Sequence, residues 1–352
     1  TGTGVGICTI TATKVSDANY LETTATVDIN VNKANQTSLT ASASPSTIAF
    51  NGTTTLDAIG GSSGGAVSFA VTAGTNFCSV TGNLLTGLDV GSCTVTATRA
   101  GNALYNDVSA QVVVTVGRAL QTGWAVSGTP SATVSVNGTV TLSTSGGSGS
   151  GAVSLAITSG APSCSLSGNV VTGVTPGTCT VTATKAADTQ YESASATVDI
   201  QVEQAAQAPL AATATPATIS YLGSATLATT GGSGTGTVSF AVTVGAGQCQ
   251  LTGNLLTGIG VGGCTITATK AADINYGAAT ATVGVLVTKA TQPALSVAVS
   301  PSSLMLNGTA TLSTSGGAGT GLVNYSVTTG TGVCSVAGNT LTGSAVGACE
   351  IT

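Results

Sequence analysis

Nine cysteines are the residues of this chain whose type and spacing point most directly to chemistry. Cys78, Cys164, Cys249 and Cys334 form one series, and Cys8, Cys93, Cys179, Cys264 and Cys349 a second. Both step by about 85 residues, and each member of the first series is followed by one of the second in a Cys-x14-Cys pattern. Thiols so placed can crosslink or ligate a metal. The chain has no histidine, which removes Ser-His-Asp and Cys-His dyads, imidazole zinc sites, haem ligation by histidine and an imidazole pH switch. Carboxylates offer little in its place. Asp57, Asp89 and Asp107 do not recur from unit to unit as a glycosidase pair would, and no Asp-x-Asp-x-Asp run suggests calcium. No catalytic residue, cofactor or metal ligand is therefore expected.

The elements that position these cysteines must be built from small side chains. Gly alone supplies 49 of 352 residues, aromatics are 3% and charged residues 5%, so neither an ordinary enzyme surface nor a polyelectrolyte is encoded. Seven basic against twelve acidic residues give a net charge of -5, which provides no basic footprint for nucleic acid or anionic lipid. No apolar run approaches the roughly 18 residues that cross a bilayer; Val112 to Val116 is only a strand's length. Thr1 opens without the features of a secretory leader, and the chain reads as a window cut from a longer periodic protein.

The step of the cysteines is shared by everything else. Lys33, Arg118, Gln204 and Lys289 open the units, and Pro45, Pro130, Pro216 and Pro301 follow. Gly61, Gly147, Gly232 and Gly317 mark an expected flexible turn, and Tyr20, Tyr105, Tyr191 and Tyr276 sit late. The predicted organisation is a partial repeat at 1–32, full repeats at 33–117, 118–203 and 204–288, and a partial repeat at 289–352 truncated in its late strands. A period of this length suits a complete small β-domain better than one layer of a solenoid.

Within a unit the polarity alternates with a period of two, as in strands. In 118–203 the expected strands are Trp124 to Ser127, Thr133 to Val136, Val140 to Ser143, Val153 to Ile157, Cys164 to Leu166, Val170 to Thr172, Cys179 to Thr184 and Ala196 to Val202. Short strands in that number predict an all-β fold, a tandem array of antiparallel β-sandwiches. The cysteines share strand parity with apolar residues, Cys78 with Val80 and Cys93 with Val95 and Ala97, so their sulfurs should face inward.

The stretch Cys78 to Thr98, CSVTGNLLTGLDVGSCTVTAT, resembles the late-strand signature of bacterial immunoglobulin-like domains, the kind arrayed in invasin- and intimin-type surface proteins. The resemblance recurs at 164–184, 249–269 and 334–352, and the N-terminal segment fits the last third of such a domain. It implies an immunoglobulin-like sandwich in a large secreted surface protein, where such domains serve as stalks, adhesive tips and appendages of secreted enzymes. The cysteine pair and the low charge are departures from that family. Its topology would place the first cysteine on strand D and the second on strand F, in opposite sheets. Bonds Cys78–Cys93, Cys164–Cys179, Cys249–Cys264 and Cys334–Cys349 would then staple each sandwich, each worth about 3 kcal/mol in the chain-entropy model. Zinc is the rival reading, but each unit offers two ligands where a closed site needs four. Disulfides imply an oxidising compartment, outside the cell or in the periplasm, and the expected location is extracellular or at the cell surface. Cys8 is left unpaired, its partner expected before Thr1.

Other motifs have structural readings. Asn51-Gly52-Thr53, Asn137-Gly138-Thr139 and Asn307-Gly308-Thr309 match the glycosylation sequon, as does Asn35-Gln36-Thr37, yet Asn-Gly is also a strong turn signal, and Leu222-Gly223 keeps only the glycine. Cys93 to Thr98 and its copies carry threonine rows that read as solvent-facing strand. Lys14, Arg99, Lys185 and Lys270 precede Asp17, Asn102, Asp188 and Asp273 by three residues, which suggests an exposed ion pair or a turn rather than an isopeptide bond. The late tyrosines are expected to pack at the sandwich end or the joint to the next bead, and Trp124, replacing Leu39, Leu210 and Leu295, is expected in the core.

The leading functional expectation is a structural segment, an adhesin stalk or fibre body. Short joints such as Val116 to Leu120 suggest a semi-stiff rod on the order of 150 Å long. Its partners would be neighbouring repeats and copies of itself in a fibre or sheath, with no nucleic acid and no membrane insertion. One alternative is a binding module holding carbohydrate, ice or another surface through threonine rows or loop tyrosines; the Gly-Gly-Ser segments at 60–65, 146–151 and 231–236 look too featureless for that. A second is a filament subunit in which 1–32 completes 290–352 of another chain, against which stands the duplication of 342–352 by 1–11.

Overall fold

The computed structural model describes all residues, Thr1–Thr352, as strands, turns and loops, with no helix. Two compact units divide between Ala205 and Ala206. The first opens with a hairpin, β1 (Gly6–Lys14) and β2 (Thr23–Val31), paired antiparallel from Gly6↔Val31 to Lys14↔Thr23.

A complete sandwich follows: β3 (Leu39–Ser44), β4 (Thr47–Ala49), β5 (Thr53–Gly60), β6 (Val67–Ala73), β7 (Cys78–Thr81), β8 (Leu84–Gly87), β9 (Gly91–Arg99) and β10 (Val108–Gly117). One sheet has the order β3-β5-β8-β7 and the other β4-β10-β9-β6. In immunoglobulin terms these are A-B-E-D and A′-G-F-C, with A′ parallel to G. The first strand is divided at Pro45, whose peptide bond to Ser44 is cis, and the chain crosses there from one sheet to the other. The cis bond recurs at Pro130, Pro216 and Pro301, and at Pro130 and Pro216 it divides the first strand in the same way.

The pattern recurs with β11 (Ala125–Thr129), β12 (Thr133–Ser135), β13 (Thr139–Ser145), β14 (Val153–Ser159), β15 (Cys164–Ser167), β16 (Val170–Gly173), β17 (Gly177–Lys185) and β18 (Ala194–Glu203). All eight strands expected from alternation are present, with ends displaced by at most two residues. The second unit holds a third complete sandwich, β19 (Leu210–Thr215) to β26 (Ala279–Thr288), and a partial one, β27 (Leu295–Ser300) to β32 (Glu350–Ile351). The fold is a tandem array of immunoglobulin-like β-sandwiches of about 85 residues.

Strand parity explains each core. Along β9, Cys93, Val95 and Ala97 are fully buried while the threonines between them face out. With the other sheet they enclose Leu56, Leu85, Val114 and Val116. The second core repeats the arrangement with Val140, Leu142, Val171, Val181, Ile200 and Val202, and the third with Leu227, Leu256, Ile266, Val285 and Val287. None of these fully buried side chains is aromatic; each core is centred on aliphatic groups and a cystine, with Phe69 and Phe77 packed half-buried against the first and Phe240 against the third.

A tight turn joins the split first strand to the next. Asn51, Asn137, Leu222 and Asn307 sit there in the left-handed region at φ 62, 65, 64 and 62°. Gly52 N–H donates to the Ala49 carbonyl at 2.7 Å, and Gly223 to Ser220 at 2.8 Å. Backbone geometry thus accounts for the recurring Asn-Gly. Leucine is poorly suited to that conformation, which costs an ordinary L-residue roughly 1–2 kcal/mol, whereas asparagine tolerates it. Leu222 is 69% exposed, so its side chain contributes little packing. Leu222→Asn should therefore stabilise the third sandwich by about 1 kcal/mol. Hydrogen exchange of β20 (Thr218–Ser220) and β21 (Ser224–Gly231) checks this; unchanged protection would refute it.

Candidate functional site

The structure joins Cys78 to Cys93, Cys164 to Cys179, Cys249 to Cys264 and Cys334 to Cys349, with Cα atoms 6.1 to 6.2 Å apart. In the first sandwich the bond runs from β7, at the edge of one sheet, to β9, inside the other. Its position meets a local weakness. Strand β7 has four residues and is held by one ladder, Cys78↔Gly87 to Thr81↔Leu84. An edge strand this short has few hydrogen bonds to lose, so a covalent tie to the longest ladder of the opposite sheet resists its peeling. Cys78 and Cys93 are 2% and 1% exposed, inside the same cluster as Leu85 and Val95. Cys8 is exposed on β1, opposite Ile29.

A second recurring arrangement lies at the end where the segment before β3, the loop after β5 and the loop between β9 and β10 meet, best developed in 118–203. Asp188 Oδ1 accepts from the N–H groups of Gln190 and Tyr191 at 2.9 and 2.8 Å, closing a turn. Its Oδ2 accepts from Ser150 N–H at 2.6 Å and Ser150 Oγ at 3.0 Å, tying that turn to the Gly-rich loop. These donors, Ser150 N–H first and then Gln190 and Tyr191, lower the Asp188 pKa to about 2 against an opposing desolvation. Asp273 is lowered for the same reason, chiefly by Thr235 N–H. In 33–117 an asparagine does the work: Asn102 Oδ1 accepts from Leu104 and Tyr105, and its Nδ2 donates to the Ser63 carbonyl at 2.8 Å. The ion-pair-or-turn expectation resolves to a turn. Lys185 instead places its ammonium 5.5 Å from the centre of the Trp124 ring.

Glutamine completes the cluster, and its role is not apparent from residue type. Gln36 Oε1 accepts from Ser62 and Ser63 N–H at 3.0 Å, while its Nε2 donates to the Asn106 carbonyl at 2.7 Å. Gln121 bridges Gly149 N–H to the Glu192 carbonyl, and Gln207 donates to Gly277. The available signal was recurrence: Gln36, Gln121, Gln207 and Gln292 keep the step of the cysteines.

Two sequence expectations are corrected here. The Gly-rich loops are pinned rather than flexible and featureless. At Gly151 an added Cβ would lie 1.9 Å from the Ala186 carbonyl oxygen, and at Gly236 1.9 Å from that of Ala271, so glycine permits close approach. Trp124 is half-buried at the end of its sandwich rather than in the core, with Nε1 donating to the Ala183 carbonyl at 3.1 Å. A ring with a polar edge settles where that edge finds an acceptor.

Within the first unit the joint between consecutive sandwiches is also resolved. Tyr191 meets Phe50 of the preceding sandwich edge-to-face, with centroids 5.6 Å apart and planes at 83°, and Gln190 Nε2 donates to Asp89 Oδ1 at 3.4 Å. Tyr20, the first member of the tyrosine series, is 76% exposed. The threonine rows face outward, and the middle hydroxyl of each of three rows bonds to a threonine of the adjacent strand: Thr96 with Thr72 at 2.9 Å, Thr182 with Thr158 at 2.8 Å and Thr267 with Thr243 at 3.0 Å. No group of three or more His, Cys, Asp or Glu side chains converges.

No protein-family model matches the chain, and no curated protein matches it. Solved structures with similar folds include the S-layer protein rSbsC(31-844), 16% identical over 98% of this chain and 53% of that chain, with a TM-score of 0.27. The Escherichia coli adhesin FdeC is 17% identical over 73% of this chain and 99% of that one, with a TM-score of 0.23. Drosophila N-cadherin EC1-4 is 10% identical over 80% and 83%, with a TM-score of 0.25. The fold assignment rests on the strand order described above.

The loop cluster has a pH signature. A carboxylate whose folded pKa lies near 2, below the ordinary 3.8, adds stability that is present above pH 4 and disappears as pH falls toward 2. The Ser150 amide resonance should titrate with a midpoint near 2, while Ser63, facing Asn102, shows no corresponding step. A Ser150 midpoint at the ordinary carboxylate value would contradict the assignment.

Proposed function

We propose that this chain is a structural segment of an extracellular bacterial surface protein, a spacer built from independently folded, disulfide-stapled beads. The repeats at 33–117, 118–203 and 204–288 are its beads, with parts of two more at 1–32 and 289–352. One observation carries the reading: every sandwich that contains both positions has a cystine between its two sheets at the same place, in a core of small aliphatic side chains. Such a bond implies an oxidising compartment. It is worth about 3 kcal/mol, a large share of the ~5–15 kcal/mol that stabilises a typical domain. The recurring polar residues are committed to holding loops and joints. A module gripping carbohydrate or ice through threonine rows has less support, because the middle hydroxyl of each of three rows is already bonded to a threonine of the adjacent strand.

Placement of the basic residues supplies a test. Lys33, Arg118 and Lys289 are exposed between beads and Lys14 at the end of β1, whereas Arg99, Lys185 and Lys270 are half-buried at the ends of long ladders. Trypsin acting on the oxidised chain should cut only at the first four, releasing 34–118 and 119–289 as resistant fragments. Reduction should open Arg99, Lys185 and Lys270 to cleavage. Cleavage at those three in the oxidised chain, or the same pattern after reduction, would defeat the proposal.

A further inference from the structure

Each complete sandwich leaves one long strand at the edge of a sheet, the C strand: β6, β14 and β22 (Val238–Val244), seven residues apiece. The other edges are shorter. A strands have five or six residues, D strands four and A′ strands three. A strand edge that is to stay single is normally guarded by charge, proline or brevity. β6, β14 and β22 contain no Lys, Arg, Asp, Glu or Pro. Their one irregularity, a register shift after Val71, Ile157 and Val242, lies beyond the first five residues.

Backbone phase fixes which groups the edge presents. In 118–203 the Ala186 N–H donates to the Ala152 carbonyl at 2.9 Å. Alternation along the antiparallel ladder then turns the backbone groups of Ser154 and Ala156 toward β17 and those of Val153, Leu155 and Ile157 outward. Bonds from Ala100 to Ala66 and from Ala271 to Thr237 set the same phase in the other two sandwiches. The residues on this edge have a symmetry of their own. They read Val-Ser-Phe-Ala-Val at 67–71, Val-Ser-Leu-Ala-Ile at 153–157 and Val-Ser-Phe-Ala-Val at 238–242, alternating apolar and small in either direction. The apolar members at the centre, Phe69, Leu155 and Phe240, are half-buried against their cores. Beside β22 a cavity of about 480 Å³ opens between the sheets, lined by Val238, Phe240, Leu251 and Asn254.

We propose that the C strands of two copies of this chain pair antiparallel across a two-fold axis, joining their four-stranded sheets into one continuous sheet. Centred on Leu155, the pairing sets Val153 opposite Ile157, Ser154 opposite Ala156 and Leu155 opposite its own counterpart, and every outward backbone group of these five residues is used. In the third sandwich the two Phe240 rings meet over the open seam. An uncharged edge offers no complement to an acidic or basic partner, whereas the chain's own C strand matches it in length and polarity. Five residue pairs bury on the order of 500 Å², short of the roughly 1,200 Å² of a stable interface, and three such contacts along this chain exceed it. Each contact is isologous and closes on itself, but a chain holding three can join more than one neighbour and grow sideways. The proposal goes beyond the spacer reading, which holds for single and bundled chains alike.

Sedimentation and amide exchange of the full chain carrying Cys8→Ser, in which thiol coupling cannot make dimers, test this. With rising concentration the chain should pass from monomer to dimer and larger species. Over the same range the amides of Val153, Leu155 and Ile157 and their counterparts should exchange about tenfold more slowly or better, while Ser154 and Ala156, already bonded to β17, change little. Val67→Pro, Val153→Pro and Val238→Pro together remove an outward N–H at the first residue of each edge strand, where proline is tolerated, and should hold the chain monomeric with its cystines intact. Ala70→Lys, Ala156→Lys and Ala241→Lys together, at exposed positions, should do the same without touching the backbone. A chain that stays monomeric at its solubility limit, assembly that leaves the outward amides unprotected, or undiminished assembly of either folded variant would overturn the proposal. Trypsin resistance of the single chain is independent of all these results.

Discussion

One covalent bond between two sheets is the constraint on which the rest of this structure depends. The fully buried side chains of each sandwich are no larger than leucine and isoleucine, with aromatic rings such as Phe69, Phe77 and Phe240 only partly buried against the core, so burial alone leaves little margin over the entropy of ordering its residues. The cystine sits where noncovalent holding is slight, between a four-residue edge strand and the nine-residue ladder opposite. It limits how far the unfolded chain can expand and fills core volume that aromatic rings occupy in other sandwiches of this kind.

Away from the staple, order is maintained by polar groups spent locally. An acid or amide closes the loop before the last strand and grips the glycine-rich loop, and a glutamine ties that loop to two backbone segments. The tyrosine on the same turn, Tyr191, supplies the contact to Phe50 of the preceding sandwich. The rigidity of a bead's end and the definition of the joint therefore share a single turn. Few charges are needed, because most of these contacts are to backbone atoms.

The strands were readable because period-two alternation has one physical meaning: Cys93, Val95 and Ala97 on one face, Thr94, Thr96 and Thr98 on the other. The turn at Asn51 and Asn137 was readable because few residues accept a positive φ, and Leu222 shows that the backbone needs the conformation even where the side chain is unsuited. Gly151 was misleading, since glycine permits both flexibility and the close approach of a carbonyl, and the sequence does not say which. Gln121 was overlooked because an amide has no distinctive chemistry until its hydrogen-bond partners are known. Phe50 stood alone among Val136, Tyr221 and Leu306 at the equivalent places, so recurrence could not single it out. Trp124 was assigned to the core by analogy with leucines, which have no polar edge to satisfy.

Force applied to a single chain tests the central claim most directly. If the beads are independent and stapled, pulling the oxidised protein gives one event per complete sandwich. Each event falls short of full extension by the closed loop, whose cysteines are separated by 15 residues, or about 50 Å at 3.3–3.6 Å per residue. Reductant should lengthen every event by that amount and lower its force. Events that span two sandwiches, or lengths that reductant leaves unchanged, would contradict the account.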